Sequence, residues 1–570
     1  MNVKFFITLI VLVQLTTVAL AQTKYTVNGT GRTIITNDKL TGPILDGDNI
    51  TPNKGTGGYI LFDMGNNLSI TNDFSVNATL RMRAPFGAFW GVGTEFSFRQ
   101  FQINARIKKK IELQLGDINI GGMTPYTVNN FDTEYHRYES DAFKIRRNIL
   151  EYENFIHGSD WRLQGIHVKG MFDLNSAYVK GVSVYGFVTR TNATNDIDVS
   201  DRILSGGRVN LIQSGRFQIG VNYVGMNDMK IDHAEVNYNN NVLTGNTTLA
   251  AIENDNLRLE VIGEAGFSNY NYVKDSAKLA VKFNDFMYDA GLKLNHKSSK
   301  LVFSLNYRDV GPNFTSPSAQ TRRINVNRTP LLFPSLENKT LARNQTLFDR
   351  MTDEKSYMRS LTPLWMQFLP EYNNITPYGR ATANRRGINA GISTDTSSKN
   401  IDAEVQLDYL TEVIGEGGIE KRNFLGVKGG FRLKVGQLLN MKKRLSASVG
   451  GRYENTTRKG AAPISLNSTL LDFGIDAEVF KKVDLIFGLK MLNATGNEYI
   501  NTRDEFNQIA SIKLRNINVV ENIYSVGVRL RFLETSFFNV SYNLSQYKDN
   551  TTNNYKYDIG QLFVNFTLNF

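Results

Sequence analysis

Most of the chain consists of stretches in which hydrophobic and polar residues alternate one by one. At the C-terminal end, the apolar residues are Leu562, Val564, Phe566, Leu568 and Phe570, and most residues between them are polar. Alternation with a period of two predicts a β-strand that has one apolar face and one polar face. We therefore expect this segment to be a strand with lipid on one side and water on the other.

The alternating stretches recur as hairpins along the chain. Short polar segments at residues 108–110, 213–215 and 481–482 separate the two strands of a hairpin, and longer polar links join one hairpin to the next. Tight turns that alternate with longer loops are typical of transmembrane β-barrels. Closure of the sheet also removes the edges that so many amphipathic strands would otherwise expose.

A soluble β-sandwich alternates in the same way, but at this length it would be divided into several domains by linkers. The chain contains no Pro/Ser-rich linker, and the apolar faces of its clearest strands carry no charge. The pattern therefore predicts an all-β fold, a single closed antiparallel transmembrane β-barrel. We expect about 18 strands, within a range of roughly 14–24.

The alternation disappears in one long segment, residues 309–386, which contains seven of the 12 Pro residues of the chain. Within it, residues 341–368 are predicted to be helical because apolar residues recur at helical spacing. These residues are Leu347, Met351, Met358, Leu361, Trp365 and Phe368. An irregular loop of this length usually has a function of its own. Two placements stay open, namely a plug or constriction in the lumen and an extracellular cap.

The N-terminal residues predict export. Lys4 precedes an apolar core at residues 5–13, and Ala19 and Ala21 provide the small residues of a signal-peptidase site. No Cys follows the predicted cleavage site, so a lipoprotein is not expected.

These patterns divide the chain into a signal peptide, an irregular N-terminal segment, a barrel in two parts and an insertion. The predicted boundaries are 1–21 for the signal peptide, 22–56 for the irregular segment, 57–308 and 387–570 for the barrel, and 309–386 for the insertion.

Composition narrows the function classes. After residue 21 no apolar run approaches the ~18–20 residues that a spanning helix needs, and 11% aromatic residues argue against disorder. Cysteine is absent, which excludes disulfides, thiol catalysis and Cys-based metal sites, and the five His residues are scattered. The net charge of +11 comes from dispersed basic residues rather than a tract, so nucleic-acid binding is not expected. We predict no cofactor and no metal.

Charged residues at polar strand positions are candidates for the lumen wall. Basic candidates are Arg81, Arg83, Arg106, Arg208, Lys428, Arg432, Lys434, Arg529 and Arg531, and acidic candidates are Asp402, Glu404 and Asp408. A basic wall beside an acidic strand would create a transverse field across a pore. Opposite charges that neutralise one another inside a filled lumen are the alternative.

An enzyme is not predicted. His136 lies near Asp132, Glu139 and Asp141, as a barrel hydrolase would require, but a solvated loop histidine is the simpler interpretation. No Ser lies in a nucleophile elbow, and no Gly-rich phosphate loop is found. We therefore predict no catalytic site.

The leader, the hairpin rhythm, the Lys-, Asn- and Tyr-rich composition and the terminal Phe570 together resemble porin-like outer-membrane barrels of Bacteroidota. Phe566, Leu568 and Phe570 resemble the C-terminal signal of such barrels, which implies the barrel assembly machinery and outer-membrane lipid as partners. The resemblance is architectural, so it implies no functional residue. The chain differs from TonB-dependent transporters because the roughly 35 residues before the expected first strand are too few for their N-terminal plug domain.

The resemblance implies localisation in the outer membrane and a porin-like channel for small solutes, constricted by residues 309–386. The alternative is a non-conducting accessory barrel of an outer-membrane machine such as the type IX secretion apparatus, which would bind a protein partner through the same insertion. Exposed Trp365, Met366 and Phe368 would favour the accessory barrel, and the same residues lining the lumen would favour the channel. The solute, the partner and the oligomeric state stay open.

Overall fold

Twenty-two strands form one closed antiparallel sheet. Each strand pairs with its neighbours in sequence, and β1 pairs with β22 to close the barrel, with Thr30 opposite Asn569 and Thr41 opposite Asp558. The computed structural model describes residues 23–43, 55–86, 93–129, 137–155, 160–174, 176, 178–196, 199–229, 235–274, 279–328, 330, 343–395, 400–552 and 555–570. The predicted signal peptide, its cleavage residues Ala19 and Ala21, and His136 lie outside these residues.

The strands are β1 (Lys24–Thr41), β2 (Gly55–Thr71), β3 (Phe74–Pro85), β4 (Glu95–Ile107), β5 (Ile111–Ile118), β6 (Leu163–Asp173), β7 (Gly181–Asn192), β8 (Arg202–Ile212), β9 (Phe217–Asp228), β10 (Val236–Glu253), β11 (Leu257–Lys274), β12 (Leu279–His296), β13 (Leu301–Val310), β14 (Arg385–Thr394), β15 (Ile401–Thr411), β16 (Asn423–Leu433), β17 (Leu445–Arg458), β18 (Ile464–Phe480), β19 (Val483–Arg503), β20 (Ile509–Arg531), β21 (Phe537–Asp549) and β22 (Lys556–Asn569). The α-helices are α1 (Asp141–Asn154), α2 (Leu347–Thr352) and α3 (Val435–Leu438). None of the helices in the described part of the chain is long and apolar enough to cross a membrane.

The closed antiparallel barrel is confirmed, but its strand number is 22 rather than about 18. One strand was missed in residues 22–56, which were predicted to be irregular and instead contain β1 and the start of β2. The outward positions of β1 include Gly29, Gly31 and Thr33, which are small or polar, so the apolar face that identifies a strand is weak there. Its backbone is nevertheless paired on both sides, with β2 and with β22.

The outer surface of the barrel carries an apolar belt. On β20 the outward residues Tyr524, Val526, Val528 and Leu530 are exposed and apolar. Aromatic residues mark the same edge of the belt on many strands, as expected at a membrane interface. They include Tyr223, Phe267, Phe286, Tyr307, Tyr409, Tyr453, Tyr524 and Tyr542. Beyond this edge polar residues appear on the outward face, as at Asn522, Asn518 and Asn516 of β20, so this strand extends past the belt on one side.

Connections at the two rims of the barrel differ in length. From even to odd strands the connections include residues 72–73, 108–110, 254–256 and 481–482, and we call this end the tight-turn rim. From odd to even strands they include residues 119–162 and 311–384, and we call this end the long-connection rim. We name these two segments the first insertion (119–162) and the second insertion (311–384).

The second insertion corresponds to predicted residues 309–386, with β13 and β14 each taking a small part of its ends. Its helix content was overestimated, because the described part of the predicted helical stretch 341–368, residues 343–368, contains only α2 and the 3₁₀ turn Glu354–Ser356. Helix α2 begins at a capping box formed by Thr346 and Asp349. Downstream, Pro363 and Pro370 disfavour helix, and the segment consists of bends, turns and irregular backbone.

The belt predicts that the loss of stability caused by a charge on the outward face of β20 depends on the position of that charge along the strand. Arginine at Val528, in the middle of the belt, should lower the free energy of unfolding by about 2–4 kcal/mol, because the charge meets lipid at the bilayer midplane. Arginine at Asn516, on the same outward face beyond the belt, should change it by at most about 1 kcal/mol. Denaturant unfolding in lipid vesicles measures both values, and equal costs at the two positions would contradict the placement of the belt.

Candidate functional site: a lumen filled by two insertions

The inward faces of the strands contact both insertions rather than open water. The second insertion bonds to β10 and β11, where the Asn240 side chain donates to the Thr315 carbonyl at 2.9 Å and the Thr315 N–H donates to Ser268 at 2.9 Å. It also reaches the far wall, where Arg515 of β20 pairs with Glu371 at 2.7 Å. Contacts on opposite walls show that this segment crosses the lumen.

Helix α1 of the first insertion starts at a charged cluster on the wall. Ser140 caps the helix through a bond from the Ala142 N–H, and its own N–H donates to Asp472 of β18 at 2.9 Å. The neighbouring Glu139 accepts from Arg147 at 2.6 Å and from Lys490 of β19 at 2.5 Å. All of these charged side chains are buried, so the helix start is fixed to the wall by ion pairs that water does not screen.

The environment of Glu139 keeps it ionised. Burial alone would raise the pKa of this carboxyl group, but the Lys490 ammonium and the Arg147 guanidinium outweigh burial and lower the pKa below its ordinary value of 4.5. The cluster therefore contains a negative charge held between two positive charges at neutral pH.

The other end of α1 is held by the first strands of the barrel. Glu153 accepts from Arg32 of β1 at 2.9 Å and from the Tyr59 hydroxyl of β2 at 2.5 Å. The Tyr152 hydroxyl donates to Asp63 at 2.6 Å, and Asp63 also pairs with Arg81 at 2.7 Å. Since β1 pairs with β22, α1 runs along the wall across the closure of the barrel.

Inward-facing glycines make room for α1. A Cβ added at Gly474 would lie 2.6 Å from the Ser140 Cβ, and one added at Gly488 would lie 2.7 Å from the Ala142 Cβ. Both distances are far below van der Waals contact, so any larger side chain would displace the helix start. The wall is therefore shaped for this insertion.

The second insertion is seated on buried acidic residues of the wall. The backbone N–H of Leu347 and the Tyr372 hydroxyl both donate to Glu521 of β20. The Asn374 N–H donates to Glu454 at 2.9 Å, and its side-chain amide donates to Glu498 at 2.8 Å. The second insertion therefore brings hydrogen-bond donors to buried carboxylates of the wall.

The two insertions also contact each other and form a single plug. The Ser318 hydroxyl donates to the Thr127 carbonyl at 2.5 Å, and Arg359 donates to the Asn154 side chain at 2.7 Å. The Arg323 guanidinium lies over the ring of Trp161 at 4.2 Å. Apolar side chains of both insertions pack with wall residues in one cluster, which includes Val128, Leu150, Leu361, Val224 and Tyr270. We use the word plug for the two insertions together.

A cavity of about 740 Å³ lies between the plug and the wall toward the long-connection rim. Trp365, Met366 and Phe368 line it on the plug side, and Glu416 and Arg503 line it on the side of the neighbouring connections. Trp365 is 7% exposed and Met366 is 9% exposed. These residues of the second insertion therefore line a space inside the barrel end and do not form an outer surface.

Several residues predicted to line the lumen contact the plug. Arg81 donates to the Glu153 carbonyl, Arg83 pairs with Glu354 at 2.8 Å, and Arg208 donates to the Gly122 carbonyl. Arg432 donates to the Glu139 carbonyl at 2.8 Å.

The acidic candidates also lie on inward faces. Asp402 and Glu404 each pair with Arg137 of the first insertion at 2.9 Å. Asp408 accepts from the Asn389 side chain at 2.6 Å within the wall.

Of the remaining basic candidates, Arg529 also contacts the plug, at Asp141 (3.7 Å), and the others face wall residues apart from Lys434. Arg529 and Arg531 both pair with Asp484 of β19, and Arg106 pairs with Glu112 at 3.4 Å. Lys428 lies opposite Arg452 on β17. Lys434 lies outside the strand, because β16 ends at Leu433, and its side chain is exposed at the tight-turn rim. Most of the charged candidates are thus paired with opposite charges around the lumen, which favours neutralisation over a transverse field.

The first insertion was not recognised in the sequence, where residues 57–308 were assigned entirely to the barrel. The loss of alternation after Ile118 and the Ser140 cap before a helical segment were the available signals. The buried partners of Glu139 could not be found in this way, because Lys490 is far away in the sequence and only the closed barrel brings the two together. Phe566, Leu568 and Phe570 lie on the outward face of the last strand and its end, and Phe570 stacks on Phe62.

No protein-family model matches the chain, and no curated protein matches it. Several solved structures are similar in architecture. The FrpB iron transporter of Neisseria meningitidis (F3-3 variant) is 10% identical over 95% of this chain and 82% of its own, with a TM-score of 0.45. The copper transporter OprC is 9% identical over 96% of this chain and 81% of its own, with a TM-score of 0.46. OccK2 (OpdF) of Pseudomonas aeruginosa is 9% identical over 96% of this chain and 98% of its own, with a TM-score of 0.33.

Among the described residues, no group of three or more His, Cys, Asp or Glu side chains is placed to hold a metal ion. His296 contacts Ser299 at 2.7 Å in a turn, and His167 lines a small cavity of about 280 Å³ with Arg106 and Glu112.

The cluster at Glu139 predicts how firmly the plug is seated. Glu139→Gln removes the carboxylate charge that Arg147 and Lys490 share. It should weaken the binding of α1 to the barrel wall by about 3 kcal/mol and so raise the population with α1 detached about a hundredfold. Glu112→Gln is the matched control, because its pair with Arg106 is about half exposed and should be worth at most about 1 kcal/mol. The rate of proteolysis within residues 137–155 of the membrane-embedded protein measures the difference. Equal rates for the two variants would show that this cluster does not hold the plug.

Proposed function

We propose that this chain is an outer-membrane β-barrel that acts as a porin-like channel for small solutes and is constricted by its own two insertions. The observation that supports this most strongly is the plug itself. Barrels of 16–18 strands enclose an aqueous channel, whereas the wider lumen of a 22-stranded barrel needs a plug to restrict the passage of solutes. Here the chain supplies that plug from two of its own connections and fixes it to the wall.

The orientation follows from the two rims. Transmembrane barrels have short turns on the periplasmic side and longer loops on the extracellular side. We therefore place the tight-turn rim in the periplasm and the long-connection rim outside. Both insertions then enter the lumen from the extracellular side, and the 740 Å³ cavity is the vestibule that a solute meets first.

The lining of the vestibule supports a channel over an accessory barrel. Trp365 and Met366 face this space and are buried, whereas a docking surface would present them to solvent. Apolar and charged residues share the lining, with Glu416 and Arg503 opposite the aromatic residues. A small solute with both polar and apolar groups suits such a surface.

The plug is a constriction rather than a loosely held lid. α2 and the segment after it pack into an apolar cluster with strands β18 to β22, formed by Leu347, Phe348, Met351, Leu466, Ile517 and Tyr557 among others. Removing such a segment exposes apolar surface as well as breaking hydrogen bonds. Passage is therefore limited to the polar spaces that the plug leaves, and larger solutes are excluded.

The remaining expectations stay predictions from the sequence. They are the signal peptide at residues 1–21, the link to Bacteroidota, and the barrel assembly machinery as a partner. The non-conducting accessory barrel, with a protein partner on the second insertion, is the alternative that the next experiment distinguishes.

Single-channel conductance in a planar lipid bilayer tests the proposal. The intact chain should give a small steady conductance, and replacing residues 312–384 by a short Gly/Ser link should raise it severalfold because the second insertion crosses the lumen. The control replaces residues 459–463, a connection at the same rim that does not line the cavity, and should leave the conductance near that of the intact chain. Retained strand content by circular dichroism shows that each variant is folded.

Two results would contradict the proposal. A folded barrel that does not conduct either before or after removal of residues 312–384 would favour the accessory barrel. A conductance that is large in the intact chain and unchanged by the removal would show a channel that the second insertion does not constrict.

A further inference from the structure

The turns of the tight-turn rim are strongly basic. In the described part of these connections the basic residues are Lys108, Lys109, Lys110, Lys180, Arg216, Lys297, Lys300, Lys434, Lys442, Lys443, Arg444, Lys481 and Lys482, and every one is exposed. The acidic residues there are Asp73, Asp255, Asp395 and Glu534. Of these, Glu534 already pairs with Arg444. At the adjoining strand end, Glu253 pairs with Arg216 at 3.5 Å. The basic residues of these connections still far outnumber the acidic ones, so the turns carry a positive excess.

The opposite rim has the opposite sign. The described short connections at the long-connection rim carry Asp196, Asp201, Glu235, Glu412, Glu416, Glu420, Asp504 and Glu505 against Lys421, Arg422 and Lys459. The short connections of the two rims thus carry charge of opposite sign. A uniformly basic surface, as expected for general solubility, would not show this division.

The positive charge surrounds the barrel. Lys108 and Lys109 join β4 to β5, Lys297 and Lys300 flank the turn from β12 to β13, and Lys481 lies between β18 and β19. Strand order in a closed barrel is also the order around the circumference, so these turns lie on different sides of the rim. A protein partner would contact a patch on one side of the rim. A membrane surrounds the barrel and can contact the whole ring of charge.

Large apolar residues accompany the charges at the same rim. Leu438, Leu439 and Met441 in and after α3 are exposed, Phe480 precedes Lys481 with 71% exposure, and Leu533 is exposed in the turn after β20. Residues 480 and 533 adjoin the outward apolar belt of β18 and β20. Apolar groups next to Lys and Arg, continuous with a lipid-facing surface, fit the boundary between acyl chains and headgroups.

We infer that the tight-turn rim binds the headgroups of anionic phospholipids in the periplasmic leaflet. The Lys and Arg side chains contact the phosphate groups, and the neighbouring apolar side chains lie among the acyl chains. The inference rests on the orientation given with the proposed function. It adds a lipid preference and an electrostatic constraint that holds the barrel at a fixed depth and direction in the membrane.

Spin-labelled lipids measure this preference directly. The full chain is reconstituted in phosphatidylcholine vesicles with a trace of spin-labelled phosphatidylglycerol or phosphatidylcholine, and electron paramagnetic resonance gives the fraction of each label at the protein surface. The test variant is K108N/K109N/K481N/K482N, which neutralises two turns on different sides of the rim. Lys108, Lys109 and Lys482 have positive φ angles, which Asn tolerates, so the turns keep their conformation.

The matched control is K421N/K459N/K513N/K556N, which removes the same number of exposed Lys side chains at the opposite end of the strands. We expect about a threefold preference of the wild-type chain for phosphatidylglycerol at low salt, and a fall toward unity near 1 M salt. The test variant should lose most of that preference, and the control should keep it.

Three outcomes would overturn the inference. An inserted wild-type chain without a preference, or an equal loss in test variant and control, would show that the rim does not select anionic lipid. Binding of an acidic polypeptide such as polyglutamate by the wild-type chain, lost in the test variant and without any lipid preference, would assign the rim to an acidic protein. If a chain inserts and conducts but shows no preference, only this inference fails, whereas a chain that does not insert also overturns the proposed function.

Discussion

A ring of 22 antiparallel strands encloses a lumen that its own wall side chains cannot fill. The rest of the structure depends on this constraint. Polar groups on the inner wall need partners, and in this chain two connections from one rim provide them. The first insertion runs along the wall across the closure between β22 and β1, and the second crosses the remaining space to reach opposite walls.

The contacts between plug and wall combine two kinds of interaction. Apolar clusters supply most of the favourable free energy, because they remove hydrocarbon surface from water. The buried ion pairs at Glu139 and at Glu153 add little net stability but are costly to break one partner at a time, so they fix where α1 lies. Gly474 and Gly488 also help to fix the position of α1, because any side chain at these positions would collide with the start of the helix.

The sequence predicted the fold class, the closed barrel and most hairpins, because alternation is a local property that each strand carries in its own residues. It failed where the outward face is small and polar, as in β1, and where helix α1 interrupts the barrel between β5 and β6. The second insertion was located from its prolines, but its helical segment was overestimated. The pairing of Glu139 with Lys490 or of Asn374 with Glu498 depends on closure of the whole ring, so no local pattern could reveal it.

Hydrogen–deuterium exchange on the membrane-embedded chain tests the central claim, that the lumen is filled by the chain's own insertions. If the insertions fill the lumen, backbone amides of residues 141–154 and 343–382 should exchange about as slowly as those of the neighbouring strands, since these segments pack among wall residues. The exposed residues 417–421, in the connection from β15 to β16, provide the fast-exchanging reference at the same rim. Exchange of both insertions at the rate of that reference would mean that they are solvated outside the barrel, and the account of a plugged channel would be wrong.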